Sequence, residues 1–265
     1  MNKRILTGVV GIPVLAVIIV LGGWVFFGAL CIVAGMGLYE YVKSVNGKQD
    51  MNLNPFLVIL LGLSILTAFK VGPQWILGLL VLSLAIFIAR DVFKGNVNIF
   101  NAVFGVYGLI YIPFFLGHLI ALEQMIQGTM LIWLVFIISF GTDTFAYIVG
   151  MRYGKHRLSP NISPKKSVEG SVGGVVAAVV FSMIFGFFFE GAGGIGLSIF
   201  KYGIIAFVAS LVSQLGDLAA SMIKRQFGIK DFGHLLPGHG GILDRFDSVI
   251  FAAPAIYYMI LALRS

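Results

Sequence analysis

Charge is what this sequence has least of. Asp, Glu, Lys and Arg make up 11% of its residues against 59% hydrophobic, less than half the charged share of a soluble domain. With a mean hydropathy of +1.00, that excludes a soluble globular protein and implies a polytopic membrane protein. Cysteine is nearly absent too. The single Cys31 excludes an internal disulfide and, set in an apolar run, reads as inert burial. No stretch is long and polar enough for a soluble domain. The opening MNKRILTGVVGIPVLAVIIVLGG places cations before an apolar run, as a signal sequence does, but lacks a small-x-small cleavage site. The run is nearly long enough to span a bilayer, so a retained first helix is expected.

What is present is apolar runs. Those near twenty residues predict an all-α fold of about nine transmembrane helices, over 5–21, 24–42, 54–70, 74–90, 99–121, 129–149, 170–189, 200–225 and 245–263. Gly72-Pro73 marks the turn between the third and fourth, and Pro13, Pro113 and Pro254 are expected to kink their helices. Residues 191–196, Gly-Ala-Gly-Gly-Ile-Gly, read as a flexible turn; without basic neighbours they are a poor phosphate loop. An odd number of spans puts the termini on opposite sides. With the N-terminus inside, only Lys70, Lys201 and Arg264 of the 18 Lys and Arg fall outside. That bias predicts a cytoplasmic N-terminus and a C-terminus on the far side. It also puts both long polar loops, 150–169 and 226–244, in the cytoplasm. A division follows, with scaffold helices over 1–128 (lipid access or dimer contacts) and a catalytic region over 129–265. Small residues from Gly28 to Gly37 permit a homodimer.

Polar residues concentrate late in the chain. Ser210, Gln214, Asp217, Ser221 and Lys224 recur at helical spacing and share one face. A carboxylate in a spanning helix is costly and faces a cavity, a metal or a partner. Asp244 and Asp247 open the next apolar run three residues apart, a spacing that sets both on one helical face. Hard oxygen ligands beside many cations favour Mg²⁺, which takes one or two carboxylates plus substrate phosphates. A zinc reading of His234 and His239 is poor, with no cysteine near. Residues 238–241 would let backbone approach a phosphate closely.

Earlier, Ser139, Thr142 and Asp143 form a second intramembrane polar cluster, open to two readings: an interhelical hydrogen-bond knot or part of a site. The loop after it holds Arg152, Lys155, Arg157, Lys165 and Lys166, suited to a polyanion. Ser163-Pro164, then Ser167 with Glu169-Gly170-Ser171, looks like a helix start with exposed N–H groups, a natural anion seat. The competing reading is an anchor to anionic lipid.

Ser221, Ile223, Lys224, Arg225, Lys230, Asp231 and Gly233, followed by Leu236-Pro237-x-His239-Gly240-Gly241-Ile242-x-Asp244-Arg245-Phe246-Asp247, together resemble the signature of phosphatidate cytidylyltransferases, also called CDP-diacylglycerol synthases. Residues 162–171, ISPKKSVEGS, resemble a second motif of that family. Where the family carries Thr-Trp, this chain has Ser167-Val168, keeping the hydroxyl and losing an aromatic contact. The resemblance is specific from about Ser139 onward; the first five helices match only in being hydrophobic.

The resemblance implies CTP and phosphatidate as substrates, CDP-diacylglycerol and pyrophosphate as products, and a bacterial inner-membrane enzyme working at the cytoplasmic face. It implies Mg²⁺ on Asp217, Asp244 and Asp247, with room for a second, monovalent cation. Lys165, Lys166, Lys224, Arg225 and Arg245 would contact phosphates, and Asp231 and His239 would position substrate. Asp143, Ser167, Ser221, Lys230, Gly240 and Gly241 complete the expected substrate contacts; no nucleic acid is expected. Two other functions fit less well. A CDP-alcohol phosphotransferase would open its motif with Asp-Gly-x2-Ala-Arg, absent here. A transporter for an anionic substrate would show an inverted repeat, which is not evident.

Overall fold

The computed structural model describes residues 3–47, 51–233 and 240–264, so the expectations for His234 and His239 lie outside the described residues. The chain is helical almost throughout. α1 (Lys3–Leu21), α2 (Gly23–Val45), α3 (Pro55–Val71) and α4 (Ile76–Phe93) lead to α5 (Phe100–Leu109) and α6 (Phe115–Glu123). Then come α7 (Gly128–Tyr153), α8 (Val168–Gly191), α9 (Ile199–Phe227) and α10 (Leu243–Arg264). Among the described residues, seven helical segments are long and apolar enough to cross a membrane; Gly11–Leu21 and Pro55–Val71 are apolar but shorter. The runs therefore mark the helices, and the seven long segments bear out an all-α, polytopic membrane protein.

Two local outcomes differ from expectation. The loop after α7 contains a short antiparallel pair, β1 (Arg157–Ser159) and β2 (Ser163–Ser167), irregular in register. The turn after α8 is pinned rather than flexible. Glu190 accepts the N–H groups of Ile195, Gly196 and Leu197 at 3.1, 2.9 and 3.3 Å, and the Tyr202 hydroxyl. The glycines do wrap an anion, but it is the protein's own carboxylate.

The helices form two compact units, Met1–Ala121 with Gln226–Arg245, and Leu122–Arg225 with Phe246–Ser265. In the first, Asn54 caps α3 by accepting from Phe56 and Leu57 N–H, and Pro55 fills a position that needs no donor. Aromatic rings pack directly on helix backbone here. Any Cβ at Gly108 would enter the ring of Tyr41, whose hydroxyl bonds the Phe104 carbonyl at 2.9 Å. Pro113 is absorbed in a π-turn, Ile110–Phe114, between α5 and α6; a wider turn accommodates the missing N–H. Pro13 and Pro254 lie inside α1 and α10.

In the second unit, α7 and α8 pack through small residues. A Cβ at Gly174 would sit 2.6 Å from the Thr142 carbonyl oxygen, and one at Gly170 would sit 3.0 Å from Gly150 Cα. Such seams let backbones approach closely in a membrane. Their consequence is positional: the end of α7, the β-pair and the start of α8 are drawn together at one end of this unit.

Candidate active site

That end holds a cavity of about 600 Å³, lined by Asp143, Ala146, Tyr147, Gly150, Met151, Gly154, Arg157, Leu158, Lys165, Lys166, Ser167, Ser171, Gln214 and Asp217. The volume suits a small-molecule ligand, and the lining combines two carboxylates with three cations. Four elements deliver them. Asp143 comes from α7, a turn before Tyr147. Arg157 comes from β1 and the lysines from β2. Asp217 comes from α9, one turn after Gln214, whose side-chain amide donates to the Ser171 carbonyl at 3.4 Å.

Local chemistry fixes this arrangement. Ser167 caps α8, its Oγ accepting from Gly170 N–H at 3.1 Å. Glu169 accepts from the N–H groups of Lys155 and His156, and from His156 Nδ1 at 2.6 Å. A carboxylate in a first helical turn suits the positive end of the dipole, and this one also folds the strand back onto the helix. Lys166 forms an ion pair with Asp217, each side chain about a quarter exposed. Arg225 Nε donates to the Ile162 carbonyl at 3.3 Å, tying the end of α9 to the β-turn.

A third carboxylate lies nearby. Asp247, half-buried on α10, is within electrostatic range of Asp217, Asp143 and Lys224. The backbone carbonyl of Asp247 packs where a Cβ at Gly216 would be, so α9 and α10 approach closely beside Asp217. Asp143, Lys165, Lys166, Ser167 and Asp217 are thus brought together, with Asp247 and Lys224 near. Ser221 is half-buried one turn beyond Asp217 and does not line the cavity. Of the polar cluster in α7, Thr142 Oγ1 donates to the Ile138 carbonyl of its own helix, and Ser139 Oγ is buried with no hydrogen-bond partner among the described residues.

Asp231, Gly240, Gly241 and Asp244 belong to the first unit. There Asp244 Oδ2 accepts from Phe232 N–H at 2.9 Å and Gly241 N–H at 3.0 Å. Gly240 has φ +84°, a conformation other residues resist, and a Cβ there would sit 3.0 Å from Asp244 Oδ2. Lys230, Asp231 and Arg245 are exposed.

Three features were not picked out from sequence. Tyr147 lines the cavity but carried no spacing signal. Glu40, on α2 and only 3% exposed, accepts from Ile242 N–H at 3.1 Å and Leu243 N–H at 3.0 Å. Asp91, on α4 and 5% exposed, has both carboxylate oxygens without a hydrogen-bond partner among the described residues. The cost of a carboxylate in an apolar helix applies to both as it does to Asp217, and would have flagged them.

No three His, Cys, Asp or Glu groups among the described residues form a ready metal cage. The oxygen donors of Asp143, Asp217 and Asp247 still suit Mg²⁺, which needs only one or two carboxylates and keeps water or substrate phosphate in its remaining positions.

A family model described as "Cytidylyltransferase family" matches residues 2–263. A phosphatidate cytidylyltransferase of Staphylococcus epidermidis is 31% identical over 98% of this chain and 99% of its own length. Those of Staphylococcus saprophyticus and Staphylococcus aureus match to the same extent, 31% identical over 98% of this chain.

Proposed function

The chain belongs to the cytidylyltransferase family, and we propose that it transfers the cytidylyl group of CTP to phosphatidate, giving CDP-diacylglycerol and pyrophosphate. The observation that carries this reading is the cavity in which Asp143 and Asp217 face Arg157, Lys165 and Lys166. Cations matched to phosphates and carboxylates matched to a divalent ion are what a reaction between two anions requires.

A phosphate oxygen of phosphatidate attacks the α-phosphorus of CTP. The bond from that phosphorus to the bridging oxygen breaks, and its electrons leave with pyrophosphate. Phosphatidate is already ionised, so proton removal contributes little. Lys165, Lys166 and Arg157 neutralise the phosphates and hold them in line. Lys166 is held ready by Asp217. Mg²⁺ held by Asp217 and Asp247 would supply charge neutralisation between the phosphates and the leaving oxygen; the family signature implies Asp244 as a further ligand. Asp231, Gly240 and Gly241, with Lys224, Arg225 and Arg245, complete the phosphate and substrate contacts in this reading.

The seven long apolar helices make this a multi-pass membrane protein. The charge bias of the connecting segments supports a cytoplasmic site, where CTP is available and the lipid headgroup lies at the surface. The test is incorporation of α-phosphate-labelled CTP into lipid by the purified protein in mixed micelles. Label in lipid only when phosphatidate is supplied is expected; no label, with binding of an anion alone, would favour transport instead.

A further inference from the structure

The geometry points to Glu40 as a positioning residue for the segment that carries Asp231, Gly240, Gly241 and Asp244, a role that rests on the function proposed above. Glu40 lies on α2, in the part of the chain with no other resemblance to a catalytic motif. It is 3% exposed inside an apolar helix, a setting in which a carboxylate is costly and is retained for a partner. Among the described residues its partners include two backbone N–H groups at the start of α10, those of Ile242 and Leu243. An ionised acceptor on a helix start makes charge-assisted bonds and meets the positive end of the helix dipole.

The glycines around it fit the same purpose. A Cβ added at Gly233 or at Gly241 would collide with the Glu40 carboxylate. Both positions lie in the signature-like segment, so their lack of a side chain is what lets the backbone close over Glu40. Asp244 completes the clamp from the other side, joining Phe232 N–H to Gly241 N–H through one oxygen. Two carboxylates from elements about two hundred residues apart in sequence thus bind backbone at Phe232 and at residues 241–243. Glu40 sets where α10 begins, and thereby where Asp244 stands in its first turn.

A buried acid that only stabilises the fold would lower the folded fraction and leave turnover per folded molecule unchanged. A positioning acid changes turnover itself, because a displacement of about 1 Å at reacting groups costs about a hundredfold. The cations that line the cavity, Arg157, Lys165 and Lys166, belong to the other unit and are untouched by the substitution, so most of the ground-state affinity for CTP should remain. The effect therefore falls on kcat rather than on KM.

The experiment measures CTP incorporation by the full-length protein in mixed micelles, normalised to the folded fraction. The variants are Glu40→Gln, Glu40→Ala, Gly241→Ala and the double variant Glu40→Ala with Gly241→Ala. Glu40→Gln keeps the volume and one acceptor but turns an amide donor toward the second N–H. Its kcat should fall about tenfold or more, with KM for CTP within about threefold. Gly241→Ala should be impaired in the parent and add little once Glu40 is Ala, since groups in contact are not additive. If Glu40→Gln does not fold, the Gly241→Ala cycle decides alone. Parent activity with Glu40→Gln within twofold in kcat, or with strictly additive Glu40 and Gly241 effects, overturns the positioning role and leaves the reaction standing. A folded parent that never labels lipid overturns both.

Discussion

Replacing Lys166 by methionine should separate stability from catalysis. The side chain pairs with Asp217, and the two are 27% and 26% exposed. A pair this open to water is partly screened and contributes about 1 kcal/mol to folding. Methionine keeps the apolar stem packed, so the protein should melt only a few degrees lower. Catalysis should respond far more. A preorganised donor aimed at developing charge contributes about 2.7–4 kcal/mol to the transition state, a factor of roughly a hundred to a thousand in rate. Losing the cation also leaves Asp217 facing Asp247 and Asp143 with less compensation. The assay is steady-state kinetics in mixed micelles, with CTP and phosphatidate varied separately, beside thermal unfolding in detergent. A kcat/KM within twofold of the parent would refute the reasoning and return the loop to a lipid anchor. So would an activity loss that merely follows the folded fraction.

Glu190→Ala should act in the opposite sense. It removes the acceptor for three backbone N–H groups and for Tyr202, so thermal stability should fall by about 2–3 kcal/mol, while turnover per folded molecule stays within twofold. The proposed orientation predicts that single cysteines at Ser159 and Lys230, in a Cys31→Ser background, resist an impermeant thiol reagent in intact cells and label once the membrane is opened. Labelling from outside at either position would reverse the topology.

The helices were legible because a bilayer leaves few alternatives: apolar runs must become helices, and each such run here is one. Ser167 was legible as a helix start because a hydroxyl followed by Glu and Gly is a local signal, and it caps α8 as that signal implies. The site was legible where residues cluster in sequence, as Lys165, Lys166 and Ser167 do. It was less legible where folding brings distant residues together. Tyr147 reaches the cavity only because glycine seams set α7 against α8. Glu40 acts on backbone about two hundred residues later, a relation no spacing rule contains. The β-pair was missed because Ser163-Pro164-Lys165-Lys166-Ser167 has no apolar alternation to mark a strand. Its pairing is held instead by Glu169 bonding back to Lys155 and His156.

The central claim is nucleotidyl transfer from CTP to a lipid phosphate, supported by a divalent ion. It is tested most directly by giving the purified protein phosphatidate with CTP labelled separately at its α and γ phosphates. The account predicts that α-label enters lipid and γ-label is released as pyrophosphate in equal amounts. Chelation should stop both and added Mg²⁺ restore both. Transfer of γ-label to lipid, release of CMP, or full turnover without any divalent cation would contradict it.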